Sequence, residues 1–286
     1  MALEPPTGLS PSRVSSFQDC ALAFRFSAID HLPEPSSLPA VRGTLVHAAL
    51  ERLFALEPAE RTADRAAGCL AEAHAAMQDD PEYLGLELDE EGDAALLVRS
   101  QELLENYFLL EDPTRITPIG LELRLEAPLG DLNLRGIIDR LELDEDGGLV
   151  VTDYKTGAAP RQQFEQGRLG GVHFYSFLCE ELFGVRPAKV QLLYLADPVA
   201  IIAEPTDQAS RGLRRKLTAI WAAIERSCER EDFRPRPSKL CDWCAFQTHC
   251  PAFGGDPDAA RAEAAANAAL DATSIDLRSV SVPVPR

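Results

Sequence analysis

Two stretches, Gly136-Ile137-Ile138-Asp139-Arg140 and Val150-Val151-Thr152-Asp153-Tyr154-Lys155-Thr156-Gly157, decide the fold that we predict for this chain. Each contains an apolar run that leads into charged residues, and Asp146-Gly147-Gly148 between them is a turn signal. Apolar runs on either side of such a turn predict two neighbouring antiparallel β-strands. We therefore expect the central sheet to be built around this pair of strands.

The charged ends of the two strands predict a shared site. Side chains alternate along a strand, so Asp153 and Lys155 should point to one side of the sheet and Tyr154 to the other. Asp139 can lie across from Asp153 if the register of the hairpin allows it. The alternative interpretation is that Asp153, Tyr154 and Lys155 form only the polar end of an edge strand.

Two carboxylates and a lysine in this arrangement favour phosphodiester hydrolysis. Aspartate oxygens are the hard ligands that Mg²⁺ or Mn²⁺ takes, and the bound ion acidifies the attacking water. We expect Asp139 and Asp153 to be metal ligands, with the Tyr154 carbonyl as a third. Lys155 would orient or deprotonate the water and stabilise the charge that develops on the phosphate.

The remaining hydrophobic patterns switch between helical and strand periods. They predict helices over residues 9–26, 43–54, 63–77, 94–110, 163–182 and 207–229, and strands over 120–128, 132–143, 148–155, 188–195 and 199–203. This order predicts an α/β (α+β) fold with a central mixed sheet flanked by helices. We expect one domain over residues 1–253, with a helical insertion at about 56–117, and a flexible tail over 254–286 that is rich in Ala, Asp, Ser and Pro.

The chain is acidic, with 46 Asp and Glu residues against 28 Lys and Arg and a formal net charge of -18. This balance argues against a protein that coats nucleic acid by bulk attraction. A local basic segment, residues 211–239, is still a candidate phosphate-tracking surface, led by Arg211, Arg214 and Arg215. A solvated helix with compensated charges is the alternative for this segment. The sequence has no signal-peptide pattern and no apolar run of about 18 residues, so we expect a cytoplasmic protein without a membrane partner.

The cysteines point to a metal group. Their number is seven, and an odd number without a secretion signal disfavours a disulfide framework. Cys241, Cys244 and Cys250 lie within ten residues. Three thiolates are one fewer than a tetrahedral or cubane metal site requires. Three others lie on apolar helix faces and are expected to be buried free thiols: Cys69, Cys179 and Cys228.

The order Gly-x-x-Asp-Arg followed by Asp-Tyr-Lys-Thr-Gly resembles the RecB-family subgroup of the PD-(D/E)XK nucleases, with relatives among CRISPR-associated adaptation nucleases and AddB-like nuclease domains. The resemblance implies a restriction-endonuclease-like core and a Mg²⁺- or Mn²⁺-dependent deoxyribonuclease. It implies an exonuclease that acts on single-stranded DNA or DNA ends in DNA repair, recombination or processing. We also expect Arg140 to contact the nucleic acid. The chain lacks a Gly-rich phosphate loop, so any helicase would be a separate partner.

The resemblance adds residues outside the two strands. The stretch Arg42-Gly43-Thr44-Leu45-Val46-His47 is similar to a family pattern in which the histidine is a further metal ligand, so His47 takes that role. A Gln-x-x-x-Tyr motif of the family supplies Tyr175, but Gly171 stands at the glutamine position. This departure leaves open a DNA-binding iron-sulfur protein of the same fold with weak or no cleavage. Glu122, or alternatively Glu126, is a candidate for an additional carboxylate.

The resemblance also completes the cysteine group. In related nucleases an N-terminal cysteine joins a C-terminal Cys-x2-Cys-x5-Cys to hold a [4Fe-4S] cluster, which here implies the ligands Cys20, Cys241, Cys244 and Cys250. Zn²⁺ at the four cysteines is the alternative, and His249 could compete as a ligand. We expect Trp243 and Phe246 to shield the metal group.

Overall fold

The computed structural model describes residues 3–160, 165–262 and 264, and its centre is a mixed sheet of five strands. The strands are β1 (Pro118–Leu129), β2 (Leu132–Leu143), β3 (Leu149–Lys155), β4 (Lys189–Tyr194) and β5 (Val199–Ala203). They lie side by side in chain order. Pairing is antiparallel except between β3 and β4, which are parallel. The mixed sheet flanked by helices that the sequence predicts is confirmed.

The helices begin and end close to the predicted residues. They are α1 (Pro11–Asp19), α2 (Ala21–Ala28), α3 (Leu38–Phe54), α4 (Ala63–Met77), α5 (Pro81–Leu84), α6 (Glu90–Tyr107), α7 (Glu165–Phe183) and α8 (Asp207–Arg230). Helices α4, α5 and α6 fall within the range predicted as a helical insertion. Of the predicted tail, residues 257–262 are helical, and 263 and 265–286 lie outside the described residues.

The predicted helix over residues 9–26 is divided at Cys20. This residue has an extended backbone, with φ -158° and ψ 110°, which a continuous helix does not allow. The Sγ atom of Cys20 accepts a hydrogen bond from the Arg236 backbone N–H at 3.4 Å. The prediction of a single helix was wrong. The break coincides with a contact to a residue more than 200 positions away, which the local spacing of apolar residues does not reveal.

The described residues form two units, and each is considered by itself. One contains residues 3–7, 12–35 and the described chain from 220 onward. The other contains residues 8–11 and 36–219, and it holds the whole sheet. No helix of the described chain is both long enough and apolar enough to cross a membrane.

Helices cover both faces of the sheet in the second unit. Tyr154 belongs to a buried cluster built mainly from α3, α4 and α6. Asp153, the residue that precedes Tyr154 in β3, accepts a hydrogen bond from the Tyr175 hydroxyl of α7. Because neighbouring residues of a strand point to opposite faces, α7 and the α3–α4–α6 layer lie on opposite sides of β3. The charged end of β3 is thereby placed beneath α7.

Candidate active site

The hairpin of β2 and β3 brings Asp139 and Asp153 to the same place. The paired register ends at Arg140 and Thr152, and the two aspartates are the next residue on each strand. Both side chains are buried. Asp139 Oδ2 accepts a hydrogen bond from the Tyr154 backbone N–H at 2.6 Å, which fixes its position at the end of the strand. The predicted register between the two aspartates is therefore compatible with one site.

Asp153 is held by the two other residues predicted to act beside it. Lys155 Nζ lies 2.5 Å from Asp153 Oδ2, and the Tyr175 hydroxyl donates to Asp153 Oδ1 at 3.1 Å. Burial raises the pKa of Asp153, and the charge of Lys155 opposes this effect. Burial disfavours the ammonium of Lys155, but the Asp153 carboxylate outweighs it, so the pKa of Lys155 is raised. Lys155 is thus a positive charge at the site rather than a free base.

His47 of α3 faces the carboxylates from the other side of Asp139. Its Nδ1 lies 3.5 Å from Asp139 Oδ1 and 3.9 Å from Glu122 Oε1. Its Nε2 lies 3.1 Å from the Tyr154 carbonyl oxygen, to which it can donate a hydrogen bond. Burial lowers the pKa of His47, but the hydrogen bond and charge of Asp139 outweigh it, so the pKa is raised. The surrounding groups therefore attract positive charge to this position.

These groups fit a divalent cation. The ligand atoms of His47, Glu122 and Asp139 lie within 4.8 Å of one another. Burial, followed by the charge of Asp139, raises the pKa of Glu122 to about 7. A bound cation would relieve the repulsion between the two carboxylates. An imidazole nitrogen that donates its other N–H to a backbone carbonyl is the usual arrangement of a metal-binding histidine. The Tyr154 carbonyl oxygen, which is predicted to be a metal ligand, is at hydrogen-bond distance from His47. Its second lone pair remains available for another partner.

The structure distinguishes Glu122 from Glu126, which the sequence spacing could not do. Glu122 is at the site, next to His47 and Asp139. Glu126 is exposed, and its carboxylate accepts a hydrogen bond from the Asn133 side-chain amide across the β1–β2 hairpin. No sequence signal separates the two glutamates, because the residues that Glu122 meets, His47 and Asp139, come from other elements.

The prediction that Arg140 contacts nucleic acid disagrees with the structure, in which its guanidinium is not accessible to a ligand. Its side chain is fully buried beside the β2–β3 hairpin. It forms ion pairs with Glu111 at 2.9 Å and Glu142 at 2.6 Å, and it donates to the Tyr154 hydroxyl at 2.9 Å. Alternation along β2 explains the difference, because Arg140 points away from the face on which Asp139 lies.

The three arginines predicted on α8 differ in their surroundings. Arg214 pairs with Glu181, and its guanidinium lies 4.5 Å from the centre of the Phe177 ring. It therefore ties α8 to α7. Arg211 and Arg215 are exposed, and the prediction that they contact a phosphate backbone stays a prediction.

The position of the missing family glutamine is open. Tyr175 lies on α7 with its hydroxyl at Asp153, as the motif requires. A Cβ atom at Gly171, one turn earlier, would meet no atom within 4 Å outside its own neighbourhood on the helix. The space for a longer side chain exists, but this chain places no side-chain amide there.

The four cysteines predicted as a metal group share one environment in the first unit. All four are half-buried, whereas Cys69, Cys179 and Cys228 are buried, as expected for free thiols. Burial raises the pKa of Cys244, and the charges of Cys20, Cys241 and Cys250 raise it further. The Ser238 backbone N–H donates to Cys241 Sγ at 3.3 Å.

The two aromatic residues that were predicted to shield this group differ in their exposure to solvent. Phe246 is buried and its ring centre lies 5.6 Å from that of Phe26. Trp243 is 88% exposed, so the prediction that it shields the metal group was wrong. It stands at the end of a short 3₁₀ helix, Lys239–Trp243, which presents the indole to solvent.

Comparisons with known proteins agree with this geometry. A family model described as the PD-(D/E)XK nuclease superfamily matches residues 8–251. The chain is 28% identical to the Gene 69 protein of Mycobacterium phage L5 over 137 residues, and 28% identical to that of Mycobacterium phage D29 over 144 residues. These matches cover 47% and 48% of this chain and 45% and 51% of the phage proteins. The chain thus spans about half the length of the curated relatives it matches.

A solved structure has a similar fold. A protein from Eubacterium rectale, described as a candidate exonuclease, has a TM-score of 0.54 to this chain at 12% identity, covering 83% of this chain and 87% of that chain. The family match extends over most of the sequence and includes His47, both aspartates of the hairpin, Lys155 and Tyr175. The chain belongs to the PD-(D/E)XK nuclease superfamily.

Proposed function

We propose that this protein is a RecB-type deoxyribonuclease that uses Mg²⁺ or Mn²⁺ to digest single-stranded DNA or DNA ends. Membership of the superfamily implies a nuclease that uses divalent metals and acts on DNA. The observation that carries the proposal is the convergence of Asp153, Lys155 and Tyr175 beside the pair of His47 and Asp139. These side chains come from α3, α7 and two strands, so their meeting is a property of the fold.

The cation would be held by His47 and Asp139, whose ligand atoms lie with that of Glu122 within 4.8 Å of one another. Asp153 and the Tyr154 carbonyl, the two other predicted ligands, are beside this group. When bound, a divalent ion supplies a Lewis acid for the phosphate and lowers the pKa of a water molecule. The donor set is suitable because carboxylate oxygens take Mg²⁺ or Mn²⁺, and an imidazole nitrogen is acceptable to Mn²⁺.

The chain's own residues then have distinct tasks. Lys155 keeps a positive charge 2.5 Å from Asp153, where it can stabilise negative charge on the phosphate and orient the attacking water. The Tyr175 hydroxyl holds the Asp153 carboxylate in one orientation. The N–H of Tyr154 does the same for Asp139. Positioned charges of this kind need no reorganisation during the reaction, which is the main source of their effect.

The substrate preference follows from the family resemblance and from the local charge. The chain has a net charge of -18, so DNA must be attracted by a confined surface rather than by the whole protein. The exposed cations Arg211 and Arg215 on α8 are our candidates for that surface. Their role would be in phosphate contact, which carries no sequence preference.

The test is an assay on end-labelled single-stranded DNA with Mn²⁺, comparing the wild type with Lys155→Ala. We expect the variant to lose at least about a hundredfold in cleavage rate, because one preorganised charge of this type contributes roughly that factor. Lys189→Ala is the matched control, since Lys189 lies at the opposite end of the β3–β4 pair and should leave the rate unchanged. Full activity of Lys155→Ala would remove the proposed site.

The second candidate function is DNA binding with weak or no cleavage, which the open position at Gly171 favours. The same assay separates the two. Wild-type protein that shifts labelled DNA in a gel but releases no product over hours with Mn²⁺ supports the binding function. Product release that depends on Lys155 supports the nuclease.

We also propose that Cys20, Cys241, Cys244 and Cys250 ligate a [4Fe-4S] cluster, with Zn²⁺ as the alternative. The support is the family resemblance, together with the half-buried state of all four thiols and the backbone N–H groups that donate to Cys20 and Cys241. Anaerobic purification followed by iron, sulfide and zinc analysis tests this. We expect a brown protein with iron and sulfide, and a colourless protein with one zinc per chain would contradict the proposal.

A further inference from the structure

Arg42 of α3 stands at a position where the pattern of the helix predicts an apolar side chain. It lies on one stripe of the helix with Val46, Ala49 and Leu53, four, seven and eleven residues later, and all three are buried in the core. Arg42 continues this stripe with a guanidinium and is half-buried. A charge that breaks the local pattern of a helix indicates a position that serves something other than core packing.

The guanidinium of Arg42 lacks the counter-charge that comparable arginines have. Its Nε atom is buried and has no hydrogen-bond partner. In Arg25 the same atom lies 2.9 Å from Asp30 Oδ2. In Arg140 it lies 2.6 Å from Glu142 Oε2. Within the described part of the chain no carboxylate pairs with Arg42. A buried donor without a partner costs free energy, so an anion that reached this group would stabilise it.

The end of α3 that carries Arg42 lies at the rim of the candidate active site. A Cβ atom at Gly43 would lie 3.3 Å from Thr156 Oγ1, and Thr156 directly follows Lys155. His47, five residues after Arg42, reaches the site carboxylates from the same helix. Five residues correspond to about 7.5 Å along the helix axis and to a rotation of about 140°. The Arg42 side chain therefore leaves α3 near the site, but on a different side from His47.

A DNA strand that enters this site meets negative charge. Glu122, Asp139 and Asp153 are all at the site, and the net charge of the chain is -18. Cations at the rim are needed to hold the phosphates of the strand near these carboxylates. A guanidinium is suited to this task, because its fork of N–H donors matches two oxygens of one phosphate.

We propose that Arg42 binds a backbone phosphate next to the scissile one. The assignment to a neighbouring phosphate follows from the offset between Arg42 and His47 on α3. It also explains why a charged group without a partner is kept on the buried stripe of the helix, since the substrate supplies the partner. The proposal rests on the proposed function.

The first test measures the affinity for labelled single-stranded DNA by fluorescence anisotropy over a range of salt concentrations. All proteins are full chains that also carry Lys155→Ala, so that the strand is not cut during the measurement. We expect Arg42→Ala to raise the Kd at least about tenfold, because a hydrogen-bonded contact to a charged group is lost. The slope of log Kd against log salt should fall by about 0.7, which is the contribution of one phosphate contact on a single strand. The loss should be the same for different base sequences, since a phosphate carries no base identity.

Two further variants serve as controls for this measurement. Arg52→Ala lies on the same helix, but the Arg52 guanidinium donates to the Ala48 carbonyl at 3.0 Å, so its Kd should stay within twofold of the parent. Arg42→Lys keeps the charge and should keep the salt slope. A Kd and slope of Arg42→Ala equal to those of the parent would overturn the proposal. The same loss of slope in Arg42→Lys would also overturn it, because the side chain would then act through its shape.

The second test examines whether the guanidinium of Arg42 stabilises the fold. Arg42→Met places an apolar side chain on the buried stripe and removes the donor without a partner. Its melting temperature without DNA should therefore equal or exceed that of the wild type. A lower melting temperature would assign the guanidinium a structural role and contradict the proposal.

The phosphate contact and the nuclease fail separately. A wild type that binds DNA through Arg42 but releases no product would remove only the nuclease. A wild type that cuts DNA with Lys155, but whose affinity for DNA is unchanged by Arg42→Ala, would remove only the phosphate contact.

Discussion

At the scale of the residue, Arg140 shows how a motif residue can serve the fold rather than the substrate. It directly follows Asp139 of the candidate site, but its guanidinium is fully buried and faces Glu111, Glu142 and the Tyr154 hydroxyl. Tyr154 in turn supplies the N–H that holds Asp139. Arg140 is therefore a positioning residue, which acts on the site through its neighbours.

We predict that Arg140→Ala lowers the free energy of unfolding by about 3 kcal/mol or more, because removing one partner leaves buried carboxylates without compensation. Urea denaturation followed by circular dichroism measures this. The control is Arg99→Ala, which breaks the exposed pair of Arg99 and Glu102 and should cost less than about 1 kcal/mol. If both variants unfold at the same urea concentration, the buried network does not have the stabilising role assigned to it.

At the scale of the element, helix α3 combines core and site. Leu45, Leu50 and Leu53 are fully buried in the cluster shared with α4 and α6, while His47 on the same helix reaches the carboxylates. Ser37 caps the helix by accepting a hydrogen bond from the Ala40 N–H, and Pro39 lies in the first turn, where a backbone N–H is not needed for the helix. The packing of the leucines thereby sets the position of the histidine.

We expect Leu50→Ala to destabilise the protein by about 3 kcal/mol, since a large buried side chain is lost and a cavity remains. Mn²⁺ affinity should fall as well, because α3 is then free to shift His47. Leu38→Ala at the exposed start of the helix is the control and should change stability by less than about 0.5 kcal/mol. A Leu50→Ala protein with normal stability would contradict the account of the core.

At the scale of the whole molecule, the four cysteines proposed as metal ligands lie on segments that are distant in the sequence. Cys20 precedes α2, and the other three follow α8, but all four belong to the same unit. A metal group held by them would close a loop of the chain that includes the entire sheet. Such a closure restricts the unfolded chain, and metal binding then contributes to folding.

Cys20→Ser is expected to lose the metal group and to lower the melting temperature by roughly 10 °C, if the closure contributes about as much as a disulfide over a long loop. Scanning calorimetry with iron analysis of the same samples measures both quantities. Cys69→Ala, at a buried thiol of α4, should keep its iron. Loss of iron without a change in melting temperature would mean that the metal group has no structural role.

The sequence by itself determined the features that depend on local spacing. Strand alternation placed Asp153 and Lys155 together and Tyr154 opposite, and turn residues marked the β2–β3 hairpin. The bounds of α4, β2 and β5 agree with the predicted ones. The helical and strand periods of apolar residues are visible within short stretches of sequence, so they do not depend on distant contacts.

Only the tertiary structure decided the features that depend on contacts between distant residues. The burial of Arg140 requires Glu111, and the break at Cys20 accompanies a contact with Arg236. The choice of Glu122 over Glu126 rests on the positions of His47, from helix α3, and Asp139, from strand β2. These outcomes are set by which elements pack together, and no local period in the sequence carries that information.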